Sequence, residues 1–334
     1  MRAQIPLSSA AAAIAATAVS AALGPVPTAA NASNEYTWSR VTDSAAFPGG
    51  YNFPVFVVDG EMWALHGDDG AYRSTDARTW VRTQLPNSGL NAAYQKYVQL
   101  GDAVYALGTM TGNYLDLHLT TRIARTLDLR TWEVVAATSH LPARVFYAAA
   151  VHHGRIFMMG GFDGRTYYND VWTSRDAVHW TRALEHAPWS ARNTSAVVFR
   201  DRLWILGGGV IDGEKANPNP ASDREVWSSA DGVTWTKAPS PATRSWGGTP
   251  IAWDGKLWMI ASNRNSTFAP SLVVTDDGAT WREEQAPWSP RGAPAVWVYN
   301  DALYLAGGKY STPVNGQPQF IYRNDVWVLR RRSS

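Results

Sequence analysis

One stretch, Val197 to Lys237, constrains the fold more than any other, because its pattern recurs along the chain. It reads VVFRDRLWILGGG, then a long polar loop, then REVWSSADGVTWTK. An apolar run reaches the turn Arg200-Asp201, a second run follows at Leu203-Trp204-Ile205-Leu206, and Gly207-Gly208-Gly209 closes it. A third run centres on Val226-Trp227, and a tight turn through Ser229, Asp231 and Gly232 leads into a fourth, opened by Trp235. Alternation with a period of two, bounded by Gly and Asp turns, specifies short antiparallel strands. Four such strands make one small meandering sheet, which cannot bury both faces alone and must stack on copies of itself.

The copies are present. Trp63, Tyr105, Phe157, Trp204, Trp258 and Tyr304 hold the same place in the second strand, each after a turn: Asp59-Gly60, Gly101-Asp102, His153-Gly154, Arg200-Asp201, Asp254-Gly255 and Asn300-Asp301. Trp80, Trp132, Trp180, Trp235 and Trp281 open the fourth strand, preceded by Ser/Thr-x-Asp at Ser74/Asp76, Thr126/Asp128, Ser174/Asp176, Ser229/Asp231 and Thr275/Asp277. Third-strand copies include Asp170-Val171-Trp172, Glu225-Val226-Trp227 and Asp325-Val326-Trp327, whose acidic residues read as structural. The spacing, about 42 to 55 residues, is that of propeller blades. The last copy stops after Val326-Trp327-Val328-Leu329 without a fourth strand, and Glu35 to Arg40 has the missing form. The N-terminal segment is therefore expected to complete the final sheet and remove the open edges of the ring. The reading is all-β: a six-bladed β-propeller of four-stranded antiparallel blades.

Hydrophobic strand, turn, Leu-Trp/Tyr, Gly-Gly, then Asn-Asp-Val-Trp and Trp together resemble the Kelch repeat, over essentially all of residues 35–329. Gly-Gly is intact at Gly160-Gly161, Gly207-Gly208 and Gly307-Gly308, and degraded to His66-Gly67, Leu107-Gly108 and Ala261-Ser262. The Ser-x-Asp-Gly-x-Thr-Trp turns also resemble the Asp box of sialidases, one residue shorter. The Kelch-type copper enzyme galactose oxidase is a poor match, because its Tyr–Cys cofactor cannot form in a chain with no Cys. The same absence excludes disulfides, thiolate metal sites and a Cys nucleophile.

A net charge of +2 implies no nucleic-acid partner and no anionic membrane surface. Most of the 17 Trp fall at repeat positions, where a large ring fills the wedge between blades. Trp189, Trp246, Trp253, Trp288 and Trp297 fall outside those registers. Trp246 and Trp288 sit beside inter-blade loops, where a ring can stack on a sugar or pack into the core. Before Glu35 the only charged side chain is Arg2, and Ala10 to Leu23 is a small-residue apolar run followed by Ala30-Asn31-Ala32. This fits a secretory signal peptide over residues 1–32, with the propeller occupying 33–334 and a secreted or periplasmic location. Roughly 20 apolar residues are needed for a membrane span, so the run is short for an anchor and no membrane attachment is expected after its removal.

In a meandering blade the first-to-second and third-to-fourth turns share one face, and here they are short hairpins. The second-to-third and inter-blade loops share the other face and are long: Thr109 to Thr121, Phe162 to Tyr168, Val210 to Ser222, Ser262 to Pro270 and Lys309 to Ile321. Variable loops on a rigid scaffold carry binding chemistry, so a ligand is expected on this face over the central channel. The inter-blade loops bring Arg144, Arg192, Arg244 and Arg291 there by symmetry, with Asn52 and Lys96 near the same place in blades one and two. Guanidinium groups grip carboxylates in bidentate fashion and repel one another without an anion, whereas a Pro-Arg in this position can also brace its own loop. An anionic small-molecule or glycan ligand is expected, held by Arg144, Arg192, Arg244, Arg291, Arg264, Lys309, Tyr310 and Trp246. Asp68, Asp163 and His66 are the candidate acid/base groups, although Asp68-Asp69-Gly70 and Asp163-Gly164 also read as plain turns.

The seven His form no metal signature, and no cofactor is expected. His152 and His153, adjacent on a strand, are expected to point to opposite faces. A metal assembled across blades, for instance through His66 and His118, has no positive support. The plan is similar to that of bacterial N-acetylneuraminate epimerases, a resemblance that implies an isomerase or mutarotase acting on a sugar acid. The alternatives are a sialidase- or lyase-type carbohydrate enzyme and a non-catalytic propeller binding a protein partner. The former lacks Phe/Tyr-Arg-Ile-Pro and has few Glu, with Glu185 and Glu214 nearest the functional face.

Overall fold

The computed structural model describes residues 35–66, 70–85, 94–113, 116–209, 224–242, 248–264, 267–314 and 317–332. Six four-stranded antiparallel sheets form the blades. Their first strands are Val55–Val58, Tyr97–Leu100, Ala148–His152, Asn193–Phe199, Thr249–Trp253 and Ala295–Tyr299. Successive first strands touch from blade two round through blade six to blade one, so they form the innermost layer.

The closing strand is where the sequence places it. Tyr36–Thr42 is the outer strand of blade six, antiparallel to Val326–Arg331, with Trp38 opposite Leu329 and Arg40 opposite Trp327. Arg332 N donates to Glu35 O at 2.8 Å, extending the ladder by one step.

Hydrophobic cores lie between blades as well as within them. Phe157 and Met159 of blade three pack with Leu203, Ile205 and Trp235 of blade four. Trp297 and Tyr304 of blade six pack with Met62, Tyr72 and Trp80 of blade one. The repeat Trp are wedge residues, as read from the sequence: Trp63, Trp204, Trp235 and Trp258 are all buried. Trp189, Trp253, Trp288 and Trp297, outside the repeat registers, are buried too, so Trp288 packs in the core, edge-on to Trp38, and cannot stack on a ligand.

The Ser/Thr-x-Asp turn explains its own recurrence. Asp231 Oδ1 accepts from the amides of Val233 and Thr234 at 2.8 and 2.7 Å, while Ser229 Oγ accepts from Gly232 N at 2.8 Å. The Trp235 indole then donates to Gly232 O at 3.1 Å. The residue after the Asp takes a left-handed φ in all five copies: Ala77, Leu129, Ala177, Gly232 and Gly278. At Gly278 a Cβ would also lie 2.1 Å from the Trp204 ring of the preceding blade, so only glycine fits there.

Three second-to-third connections differ from the sequence reading. They are β-ribbons, not irregular loops. Met110–Asn113 pairs with Asp116–Leu119 in blade two, and Lys309–Val314 pairs with Gln317–Tyr322 in blade six. In blade five Lys256–Arg264 and Thr267–Thr275 form one long hairpin through a bulge between Ile260 and Ser262. The blade-four loop, 210–222, is outside the described residues.

Candidate functional site

Three of the four mouth arginines have carboxylate partners of their own. Arg144 makes a bidentate pair with Asp170 at 2.5 and 2.8 Å, donates to Gly160 O, and lies 3.6 Å from the Tyr168 ring centroid. Arg291 pairs in the same way with Asp325 at 2.7 and 2.8 Å and donates to Gly307 O at 2.8 Å. Arg192 donates to Glu225 at 2.8 Å, and Lys237 takes the other carboxylate oxygen, also at 2.8 Å. The carboxylates are those of the third-strand motif, and Trp172, Trp227 and Trp327 donate their indole N–H to the same groups. Arg144, Arg192 and Arg291 are buried. The expectation that these guanidinium groups need an outside anion is therefore corrected: each inter-blade loop is bolted to its own blade by a buried ion pair. Arg244 and Trp246 lie outside the described residues.

The acid/base candidates change as well. Asp163 Oδ1 caps the amides of Arg165 and Thr166 at 2.8 and 2.7 Å, and Oδ2 accepts the Tyr168 hydroxyl at 2.6 Å. Burial opposes its charge, but the Tyr168 hydroxyl, those amides and the Arg144 guanidinium outweigh it and hold the carboxyl below its usual range. Such a group stays ionised and is a turn cap, a poor proton donor at neutral pH. His66 sits among Phe47, Phe53 and Tyr72, with its ring 4.8 Å from that of Phe53, against Gly50. It packs with that aromatic group and does not line the central cavity described next. Asp68 is outside the described residues. Arg264 ends a strand opposite Thr267, and Tyr310 stands opposite Ile321 in the blade-six ribbon.

A cavity of about 310 Å³ lies in the central channel, on the face of the inter-blade loops. All six blades line it, and its chemistry is concentrated in few side chains. Lys96 enters from blade two and Lys309 from the start of the blade-six ribbon. Both are partly buried, and loss of water around each amine pushes its pKa down. Among the described residues neither ammonium has a carboxylate partner; Lys309 instead faces the Tyr51 ring, 4.3 Å from its centroid. Tyr51 and Tyr94 share a hydroxyl–hydroxyl hydrogen bond of 2.7 Å, and burial together with that bond raises the Tyr51 pKa. Asn193 is 91 % buried; its Oδ1 accepts from Gly209 N at 3.2 Å, while its Nδ2 has no partner among the described residues. Phe146 and Phe268 supply apolar rings.

Backbone strain collects at the same place. Asn52, Tyr94, Phe146 and Ala293 all adopt left-handed φ, between 48° and 67°, two or three residues ahead of the first strands of their blades. All four line the cavity. A left-handed conformation is uncommon in bulky non-glycine residues and is concentrated at functional sites.

Of the residues read from sequence, Lys309 lines the cavity; Asn52 and Lys96, noted there only as departures from the Arg pattern, line it too. Tyr51, Tyr94 and Asn193 line it without being candidates in the sequence. The available signal was the inter-blade register itself, where blades one and two abandon the Pro-Arg form and blade four places an amide directly after its Arg.

Comparison with known proteins agrees with the fold. Residues 143–173, spanning the first three strands of blade three, match the model described as "Kelch motif". The chain is similar to the leucine-zipper-like transcriptional regulator 1 homolog of Drosophila melanogaster, 24% identical over 311 residues, covering 84% of this chain and 32% of that protein. It is also similar to the Kelch repeat protein M-T8 of Myxoma virus, 26% identical over 172 residues, covering 48% of this chain and 31% of that protein. The chain thus spans about a third of the length of these relatives. Among solved structures, that of YjhT superposes with a TM-score of 0.65 at 13% identity, covering 88% of this chain and all of that one.

Proposed function

We propose that this six-bladed Kelch-repeat propeller binds a sugar acid in its central cavity, with the carboxylate held by Lys96 and Lys309. The observation that carries this reading is the pair of partly buried ammonium groups in one cavity, without carboxylate partners among the described residues. Holding an ammonium away from water without a counter-ion is unfavourable, and an anionic ligand relieves that cost. Phe146 and Phe268 line the cavity with apolar rings, and the Asn193 Nδ2 has no acceptor among the described residues. A volume of about 310 Å³ suits a single small molecule, at the lower end of ligand pockets.

Within this reading the activity is isomerisation of the bound sugar acid between anomers. That reaction needs a carboxylate clamp, a proton donor and a proton acceptor near the ring oxygen, and no redox group. The hydrogen-bonded Tyr51–Tyr94 hydroxyl pair lies in the same cavity and relays the proton, one hydroxyl donating as the other accepts, while both lysines stay charged on the carboxylate. The similarity in plan to N-acetylneuraminate epimerases supports this chemistry by analogy of fold. Action outside the cytoplasm is part of this proposal, supported by the small-residue apolar run from Ala10 to Leu23.

The test is a thermal-shift panel comparing sugar acids such as N-acetylneuraminate and glucuronate with neutral sugars of matched size. At a ligand concentration 100-fold above Kd, stabilisation is about 2.7 kcal/mol. Stabilisation by acids alone is expected, followed by accelerated anomer exchange by NMR. Equal stabilisation by neutral sugars, or by none of the compounds, overturns the reading.

A further inference from the structure

Away from the cavity, on the face of the short first-to-second turns, the fold gathers His152 and His153 of blade three with Asp201 of blade four. One ligand atom from each residue lies within 4.8 Å of the others. The sequence spacing conceals this cluster. Adjacent residues of a strand point to opposite faces, yet the two imidazole rings are stacked, 3.8 Å between centroids at 25°. The cause is the turn. His153 has φ 46° and Gly154 has φ 67°, so the chain enters a left-handed hairpin turn at His153, which swings the ring back over His152. Arg200 and Asp201, at φ 48° and 54°, form the equivalent turn of blade four and bring the carboxylate across the blade boundary.

We propose that His152, His153 and Asp201 form a surface site for a divalent transition ion of the Zn²⁺ class, bridging blades three and four. Imidazole nitrogen with carboxylate oxygen is a donor set suited to that class, and three protein ligands leave the remaining positions to water. His152 is 4% exposed, and its Nε2 lies 3.1 Å from Ala230 O in the third-to-fourth turn of blade four. A carbonyl only accepts, so Nε2 carries the hydrogen and Nδ1 presents its lone pair. A ligating histidine held by a backbone carbonyl through its other nitrogen is the usual outer-shell arrangement of metal sites. His153 and Asp201, joined at 2.7 Å through Nε2 and Oδ1, are both exposed and can adjust to close around an ion. The site is independent of the sugar-acid reading, because it lies at the opposite end of the blades.

The experiment is isothermal titration of tag-free, chelator-stripped protein with ZnCl₂, alongside His153→Gln and Asp201→Asn. Both substitutions keep a polar side chain across the blade boundary and spare the buried His152. Outer-shell changes alone cost about 10–100-fold in metal affinity, so loss of a direct ligand should weaken Zn²⁺ by at least about tenfold in each variant. The metal-free Tm of both variants should stay near that of the parent, which separates ligand loss from loss of the His153–Asp201 contact. Saturable binding of one Zn²⁺ per chain, weakened in both variants, supports the site. No saturable binding by the parent, or binding as tight in the variants, overturns it.

Discussion

Replacing Arg291 by Met separates bracing from ligand binding. Arg291 is fully buried and gives two hydrogen bonds to Asp325 and one to Gly307 O. Methionine retains an unbranched apolar stem but strands the Asp325 carboxylate. Removing one partner of a buried ion pair costs about 3–5 kcal/mol. Trp327 still donates to Asp325 at 2.7 Å, which places the expected loss at the lower end, about 3 kcal/mol. With an unfolding entropy of about 2.1 cal/mol/K per residue over roughly 300 residues, that is a fall in Tm of about 5 °C. The pH dependence has a definite sign. Burial opposes the charge of Asp325, but its bonds to Arg291 and Trp327 prevail and lower its pKa. Its contribution is therefore present above the unfolded carboxylate pKa, about 3.9, and lost as pH falls below it. Scanning calorimetry should show a deficit for Arg291→Met that is level from pH 7 down to about pH 4 and shrinks below it, with partial recovery in Arg291→Met/Asp325→Asn. An unchanged Tm together with lost sugar-acid binding would refute the brace and return Arg291 to the ligand.

Other consequences follow from the same geometry. Deleting residues 35–42 should destabilise the whole ring, because it removes the outer strand of blade six; a truncated protein that melts with the parent contradicts closure. Gly278→Ala should cost about 2–4 kcal/mol, combining a left-handed alanine with overpacking against Trp204, measured by denaturant melts. Asp176 and Asp231 are held at about 2: burial opposes their charge, and turn amides, together with the His179 side chain at Asp176, outweigh it. The stability they contribute is present above about pH 4 and lost as pH falls toward 2, so acid unfolding should set in across that window. Lys96 and Lys309 have pKa values lowered by burial, so sugar-acid affinity should decline on the alkaline side of neutrality as either amine loses its proton, and binding should take up protons there.

The repeat was legible because strand alternation and turn chemistry are local: Trp235 and Asp231 announce themselves within a few residues. Ring closure was legible because Glu35 to Arg40 has the form that the final repeat lacks. The fate of the arginines was not, since Arg144 meets Asp170 across 26 residues and Arg291 meets Asp325 across 34, pairings that only the folded blade reveals. Each half reads locally, Asp170, Glu225 and Asp325 as structural and the arginines as ligand clamps or loop braces, and nothing local in the sequence pairs one with the other. The His152–His153 stack depends on where the hairpin turn begins, a shift of one residue that reverses a side chain. The cavity lysines come from blades two and six, and symmetry alone does not say which departures from the Arg pattern face the channel. The blade-two and blade-six ribbons are not legible in the sequence, because their alternation is short, polar and set among residues that also favour loops.

The most direct test of the central claim is calorimetric titration of the protein with N-acetylneuraminate, comparing the parent with Lys96→Met and Lys309→Met. A charge-assisted hydrogen bond contributes about 1.5–3 kcal/mol, so each substitution should weaken binding by about 10- to 100-fold. Parent-like affinity in both variants would contradict the account, because the carboxylate would then be held elsewhere.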